Sequence, residues 1–96
     1  MACFEEHCRA CQEELGEAFE QVHLWLDELA GRPGIGTRHR RYRHHLAGVE
    51  HVRKQWGDMA AQAAINHIRM DLSGEGWPIE KELPADGLEY VTAGLW

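Results

Sequence analysis

Apolar positions recur through residues 3–30 at alternating steps of four and three: Phe4, Cys8, Cys11, Leu15, Ala18, Val22, Trp25 and Leu29, with Phe19 and Leu26 widening the seam. Residues spaced this way share one helical face, so the run predicts one long amphipathic helix. "GRPGIG" at 31–36 closes it, because glycine caps a helix end and proline bars continuation. Thr37 is placed to cap a second helix over about 38–56, whose seam is Tyr42, His45 with Leu46, Val49, Val52 and Trp56. Asp58, following Gly57, is placed to cap a third over about 59–72, with Ala61, Ala64, Ile65, Ile68 and Leu72 inward and Gly74 as its stop.

Beyond residue 75 the periodicity fades. Pro78 and Pro84 exclude a long helix, while "ADGLEYVTAG" at 85–94 fits a short one. No alternating strand pattern competes. The expected fold is all-α, a small three-helix antiparallel bundle with a C-terminal arm (75–96) carrying a short helix, in one domain over residues 1–96. Trp77, Tyr90 and Trp96 are expected to cover the open face of the helical layer. A first helix longer than its neighbours leaves surface for a second copy, so a homodimer is the expected assembly.

Composition supports a folded chain: 96 residues, 44% hydrophobic, four tryptophans. The apolar runs are short, so no membrane span is expected. The start, "MACFEEHCRACQEELGEAF", is acidic and amphipathic rather than signal-like, which predicts a cytoplasmic protein with reduced cysteines. The net charge of −6 hides a partition. Residues 1–31 carry eight acids and one base, residues 32–56 seven bases and one acid, and residues 57–96 seven acids and two bases. The basic segment is expected to offset its acidic neighbours within the fold, a better use than gripping an external polyanion. Its arginines surround the predicted helix rather than lining one face, and the whole chain is acidic. Nucleic-acid binding is therefore not expected.

The candidate chemistry lies in histidines. "HLWLD" and "HIRMD" each place a histidine four residues before an aspartate, His23 with Asp27 and His67 with Asp71. Such pairs share a helical face, where the carboxylate can fix an imidazole tautomer or itself ligate a metal. In an antiparallel bundle the end of the first helix, the start of the second and the end of the third meet at one level. That brings His23, Asp27, His44, His45, His67 and Asp71 together as a candidate metal site for Zn, Fe, Ni or Mn, with Arg41 and Arg43 as candidate phosphate or anion ligands. Gly48, costly in a helix interior, makes sense where another backbone or a ligand comes close. The cysteines of "CFEEHCRAC" begin like a plant-type ferredoxin site but lack its fourth cysteine. Cys3, His7 and Cys11 also share a face that suits zinc, yet Cys8 and Cys11 fall on the apolar seam, where a thiol packs as a small hydrophobe.

"HLWLDE", "RHRRYRHHLAGVE" and "HIRMDLSGEGWP", in that order over residues 23–78, resemble a family of small histidine-rich bacterial and phage proteins of unknown function. The resemblance implies a shared site and no particular reaction. "RRYRHHLAGVEHV" followed by "GDMAAQAAINHI" also resembles the HD-domain metal phosphohydrolases, with His44 at the first histidine position and His67 at the second. Ile68 stands where that family has its aspartate, and Asp71, one turn later, is the substitute. This second resemblance implies a divalent metal and phosphate-ester hydrolysis. Two functions follow for testing: a His/Asp metal site with hydrolytic capacity, or a non-enzymatic interaction and assembly module with structural histidines.

Overall fold

The structure is a computed structural model describing residues 4–30, 40–78 and 81–95. It is all-α: α1 (Phe4–Leu15), α2 (Glu20–Asp27), α3 (Arg40–Arg43), α4 (Leu46–Trp56), α5 (Asp58–Ser73) and α6 (Gly87–Thr92), with no strand among the described residues. No helix is long and apolar enough to cross a membrane.

Two of the predicted long helices are broken, and both breaks matter for the site. The 3–30 run divides at Gly16, whose φ of 80° lets it end α1, and Phe19, whose φ of 50° places it in the left-handed region ahead of α2. The seam counted straight through this corner because Phe19 is buried on either reading. The expected cap Thr37 lies outside the described residues. Within the 38–56 run, His45 is extended and caps α4, its Nδ1 accepting from the Gly48 amide at 3.2 Å. The two residues between α3 and α4 are thus His44 and His45. Gly48 sits directly beneath this break: a methyl group there would overlap the Arg43 carbonyl oxygen and lie 2.9 Å from its carbon. The close approach expected at Gly48 is that of backbone.

The third helix matches its predicted span within a residue at each end. Gly57, at φ 98°, separates α4 from α5. Asp58 does not cap but pairs with Arg53 at 3.1 Å. Ala60, Ala61, Ala63 and Ala64 are wholly buried, and these small side chains let α4 lie close along α5. Val22 and Leu26 of α2, Val49 and Val52 of α4, and Ile68 and Leu72 of α5 complete the core.

The arm closes it. Leu83 and Pro84 are buried, and the Pro84 and Ala85 carbonyls accept from the Leu46 and Ala47 amides at 2.9 and 3.0 Å, satisfying the first turn of α4. Asp86 caps α6 through the Glu89 amide at 2.9 Å, Tyr90 is fully buried, Trp77 is half-buried, and Trp96 lies outside the described residues.

Gly48→Ala separates propensity from packing. Helix propensity alone would make alanine better by about 1 kcal/mol. Overlap with the Arg43 carbonyl instead predicts a loss of about 1–3 kcal/mol, read as a lower urea midpoint. An unchanged or raised midpoint would contradict this account of the α3–α4 break.

Candidate metal centre

Each ligand position follows from local structure. Asp27 is the last residue of α2, His44 occupies the α3–α4 break, and His67 and Asp71 stand one turn apart on α5. Side-chain donors of these four residues all lie within 4.8 Å of one another, and His44, His67 and Asp71 are buried. Asp27, with its side chain 30% exposed, forms the outer edge.

The acceptors around each ring assign its tautomer. His44 Nε2 lies 3.2 Å from the Leu26 carbonyl oxygen and 3.2 Å from Asp27 Oδ1. Both are acceptors, so in the neutral ring Nε2 carries the proton and donates. Burial pushes the His44 pKa down to about 4, against the pull of its hydrogen bond to Asp27, so the ring is neutral at pH 7. Its Nδ1 then turns a lone pair toward Asp71 Oδ2, 3.4 Å away. Burial alone would raise Asp71, but hydrogen bonds from His67 and His7, and the charge of Arg40, hold its carboxyl well below the usual range. A lone pair and an ionised oxygen therefore face each other in a buried site.

His67 Nε2 completes the focus, 3.4 Å from Asp71 Oδ2 and 3.6 Å from Asp27 Oδ2. Donors bound at about 2.1 Å in a tetrahedron stand about 3.4 Å apart, so these spacings already suit a small divalent ion. Burial opposes protonation of His67, yet hydrogen bonds to Asp27 and Asp71 and their charges win, and its pKa is raised. Two carboxylates against one arginine leave the cluster drawing a further positive charge. A proton on His67 supplies it, and a metal ion would compete for the same place.

Around this group stand residues of a second kind. His23 Nδ1 and His67 Nδ1 are 2.8 Å apart. Burial lowers the His23 pKa to about 4, helped by its neighbours His67 and His7. His7 Nε2 lies 3.2 Å from Asp71 Oδ1, and its ring stacks on His67 with centroids 3.6 Å apart. Buried Arg40 reaches Asp71 Oδ1 at 3.5 Å and Glu75 at 2.7 Å. Sequence reasoning saw His7 only as a companion of the cysteines and gave Arg40 only a share in the basic segment. Their signal is weak, since neither forms a His–Asp step within its own helix.

Of the predicted set, Asp27, His44, His67 and Asp71 form the group that could hold a metal ion, and His23 stands behind His67. His45 is drawn away as the α4 cap, its Nε2 lying 3.1 Å from the Tyr42 carbonyl oxygen. Arg43 donates to the Trp25 carbonyl at 2.7 Å and to Glu28 at 3.0 Å, with its guanidinium over the Trp25 ring. The side chain of Arg41 lies outside the described residues. Arg40, Arg43 and Arg53 all pair with acids of the fold, as the charge partition led us to expect. Cys8 and Cys11 are free thiols, and burial pushes Cys11 up to about 11, so both pack as neutral groups outside the ligand set, while Cys3 lies outside the described residues. A cleft of about 410 Å³ runs along the next face of α5 past Asn66, Arg69, Met70 and Trp77, away from the Asp27 edge. No protein-family model, curated protein or solved structure matches the chain.

The opposed histidines set a pH profile for the metal-free protein. The lowered values of His23 and His44 mean that unfolding takes up protons below pH 6.5, so stability falls as pH drops from 6.5 towards 4. The raised His67 contributes fully below 6.5, and its contribution is lost as pH rises through its folded value. In chelator-treated protein, urea denaturation is expected to show greatest stability near pH 6.5. The decline on the acid side should be at most about 1.4 kcal/mol per pH unit for each lowered histidine. Stability that rises steadily down to pH 4 would contradict these assignments.

Proposed function

We propose that the protein binds one divalent transition-metal ion through Asp27, His44, His67 and Asp71 and uses it to activate water for hydrolysis of a phosphate ester. The observation that carries this reading is the convergence of two imidazoles and two carboxylates from α2, the α3–α4 break and α5 within 4.8 Å. Neutral imidazole with carboxylate suits Zn²⁺, Fe²⁺, Ni²⁺ or Mn²⁺. Bound there, such an ion would lower the pKa of a water molecule and polarise a phosphoryl oxygen. The half-exposed Asp27 edge is where substrate would approach. Arg43, tied to Glu28 at the end of α2, would meet an anionic group on that edge. All three motifs that resemble the histidine-rich family contribute ligands. Asp71 supplies the carboxylate that the HD-type layout lacks at Ile68, which is core.

One observation favours a second reading. Asp71 already has His7, Arg40 and His67 around it, enough for a buried polar network that ties helices together without metal. The chain would then serve as an assembly module, as a homodimer or with a protein partner, through exposed apolar side chains such as Leu24 and Leu88.

Elemental mass spectrometry on untagged protein, purified without chelator, separates the two. We expect about one equivalent of transition metal, lost in His44→Ala, in His67→Ala and in the isosteric Asp71→Asn, and metal-dependent turnover of generic phosphomonoesters or diesters. Protein that stays metal-free after reconstitution with Zn²⁺, Fe²⁺, Ni²⁺ and Mn²⁺ would exclude the metal reading.

A further inference from the structure

Two buried histidines contribute no donor to the ligand group, yet each touches one of its members. His23 is 1% and His7 2% exposed. A buried imidazole must find polar partners to offset its desolvation. Those partners are ligands. Resting on the metal reading above, we propose that His23 and His7 are positioning residues of the metal centre: His23 fixes the tautomer of His67, and His7 with Arg40 fixes the rotation of the Asp71 carboxylate.

The Nδ1 atoms of His23 and His67, 2.8 Å apart, hold a single proton between them. The nitrogen of His67 that faces both carboxylates is Nε2. To bind a metal through Nε2 as neutral imidazole, His67 must keep its proton on Nδ1 and donate it to an acceptor. His23 Nδ1 is that acceptor. Metal-bound histidines are commonly oriented by such a partner on their other nitrogen, and here it is another imidazole. The Leu26 carbonyl serves His44 in the same way through Nε2, so each ligand ring has its own acceptor.

For Asp71 the two oxygens divide the work. Oδ2 faces His44 Nδ1 and His67 Nε2, while Oδ1 faces His7 Nε2 at 3.2 Å and the Arg40 guanidinium at 3.5 Å. These charge contacts at Oδ1 bias the carboxylate plane so that Oδ2 stays turned into the centre. His7 belongs to α1, which contributes no ligand. Metal binding and the docking of α1 are consequently linked through a single side chain, and each must favour the other. The stack of His7 on His67, 15° from parallel, strengthens that seam.

The test is a Co²⁺ titration followed by its visible absorption, with Zn²⁺ competition to set the affinity scale. His23→Phe keeps ring volume and removes the acceptor, and should weaken Co²⁺ binding 10–100-fold. His23→Asn, which restores an acceptor, should recover most of that loss. His7→Phe should weaken binding similarly and His7→Gln, which restores a donor, should recover it. Wild-type protein gives a readout without mutation. Long-range ¹H–¹⁵N spectra of the Zn²⁺-loaded form should show His67 protonated on Nδ1 and His23 on Nε2, and amide exchange across 4–15 should slow on Zn²⁺ addition. Phenylalanine variants that bind Co²⁺ as tightly as wild type, or a Zn²⁺-loaded His67 protonated on Nε2, overturn this inference alone. Wild-type protein that takes up neither ion overturns the metal reading and this inference with it.

Discussion

A buried carboxylate governs this molecule. Asp71 is ionised inside the protein, and an isolated charge there would be very costly. Its neighbours are arranged accordingly: His7 of α1, Arg40 of α3, His44 of the α3–α4 break and His67 of α5 converge on its two oxygens. Three of the four close contacts supply a proton or a positive charge. The fourth, His44 Nδ1, turns a lone pair toward the same carboxylate, and that is where a cation would be drawn in. A cation between His44, His67 and the carboxylates would turn this repulsion into coordination.

The breaks in the helices are what make this geometry possible. A continuous second helix would carry His44 and His45 at 100° to one another, with neither free to leave the helical path. Ending α3 at Arg43 lets His44 turn into the centre while His45 turns back to cap α4. Gly48 makes the tight passage possible because its missing side chain leaves room for the Arg43 carbonyl. The corner at Gly16–Phe19 does the corresponding work for α1, letting His7 and His23 approach the same α5 face from two helices. The alanines of α5 then hold α4 close enough for the arm to cap it.

The apolar period revealed that the chain is helical, and nearly all of α5, because that helix is uninterrupted and its inward face is apolar or small. It could not show the two breaks. Phe19 in the left-handed region has no common sequence signature, and an extended His45 capping a helix reads as one more residue of the seam. The i,i+4 pairing exposed three of the four donors, Asp27, His67 and Asp71, because the chemistry there repeats along a single element. His44 came from its place at the common level of the bundle, but sequence could not say which of two adjacent histidines turns inward. His7 and Arg40 were missed for a related reason: their partners lie far away in the chain, and only the fold brings them to Asp71.

The most direct test of the central claim is X-ray absorption at the zinc edge on protein reconstituted with one equivalent of Zn²⁺. The account predicts a first shell of nitrogen and oxygen donors at about 2.0–2.2 Å with imidazole scattering beyond it. A sulfur shell at about 2.3 Å would place the metal on the cysteines instead. A shell of water oxygens without imidazole would mean that Asp71 and its histidines hold no metal at all.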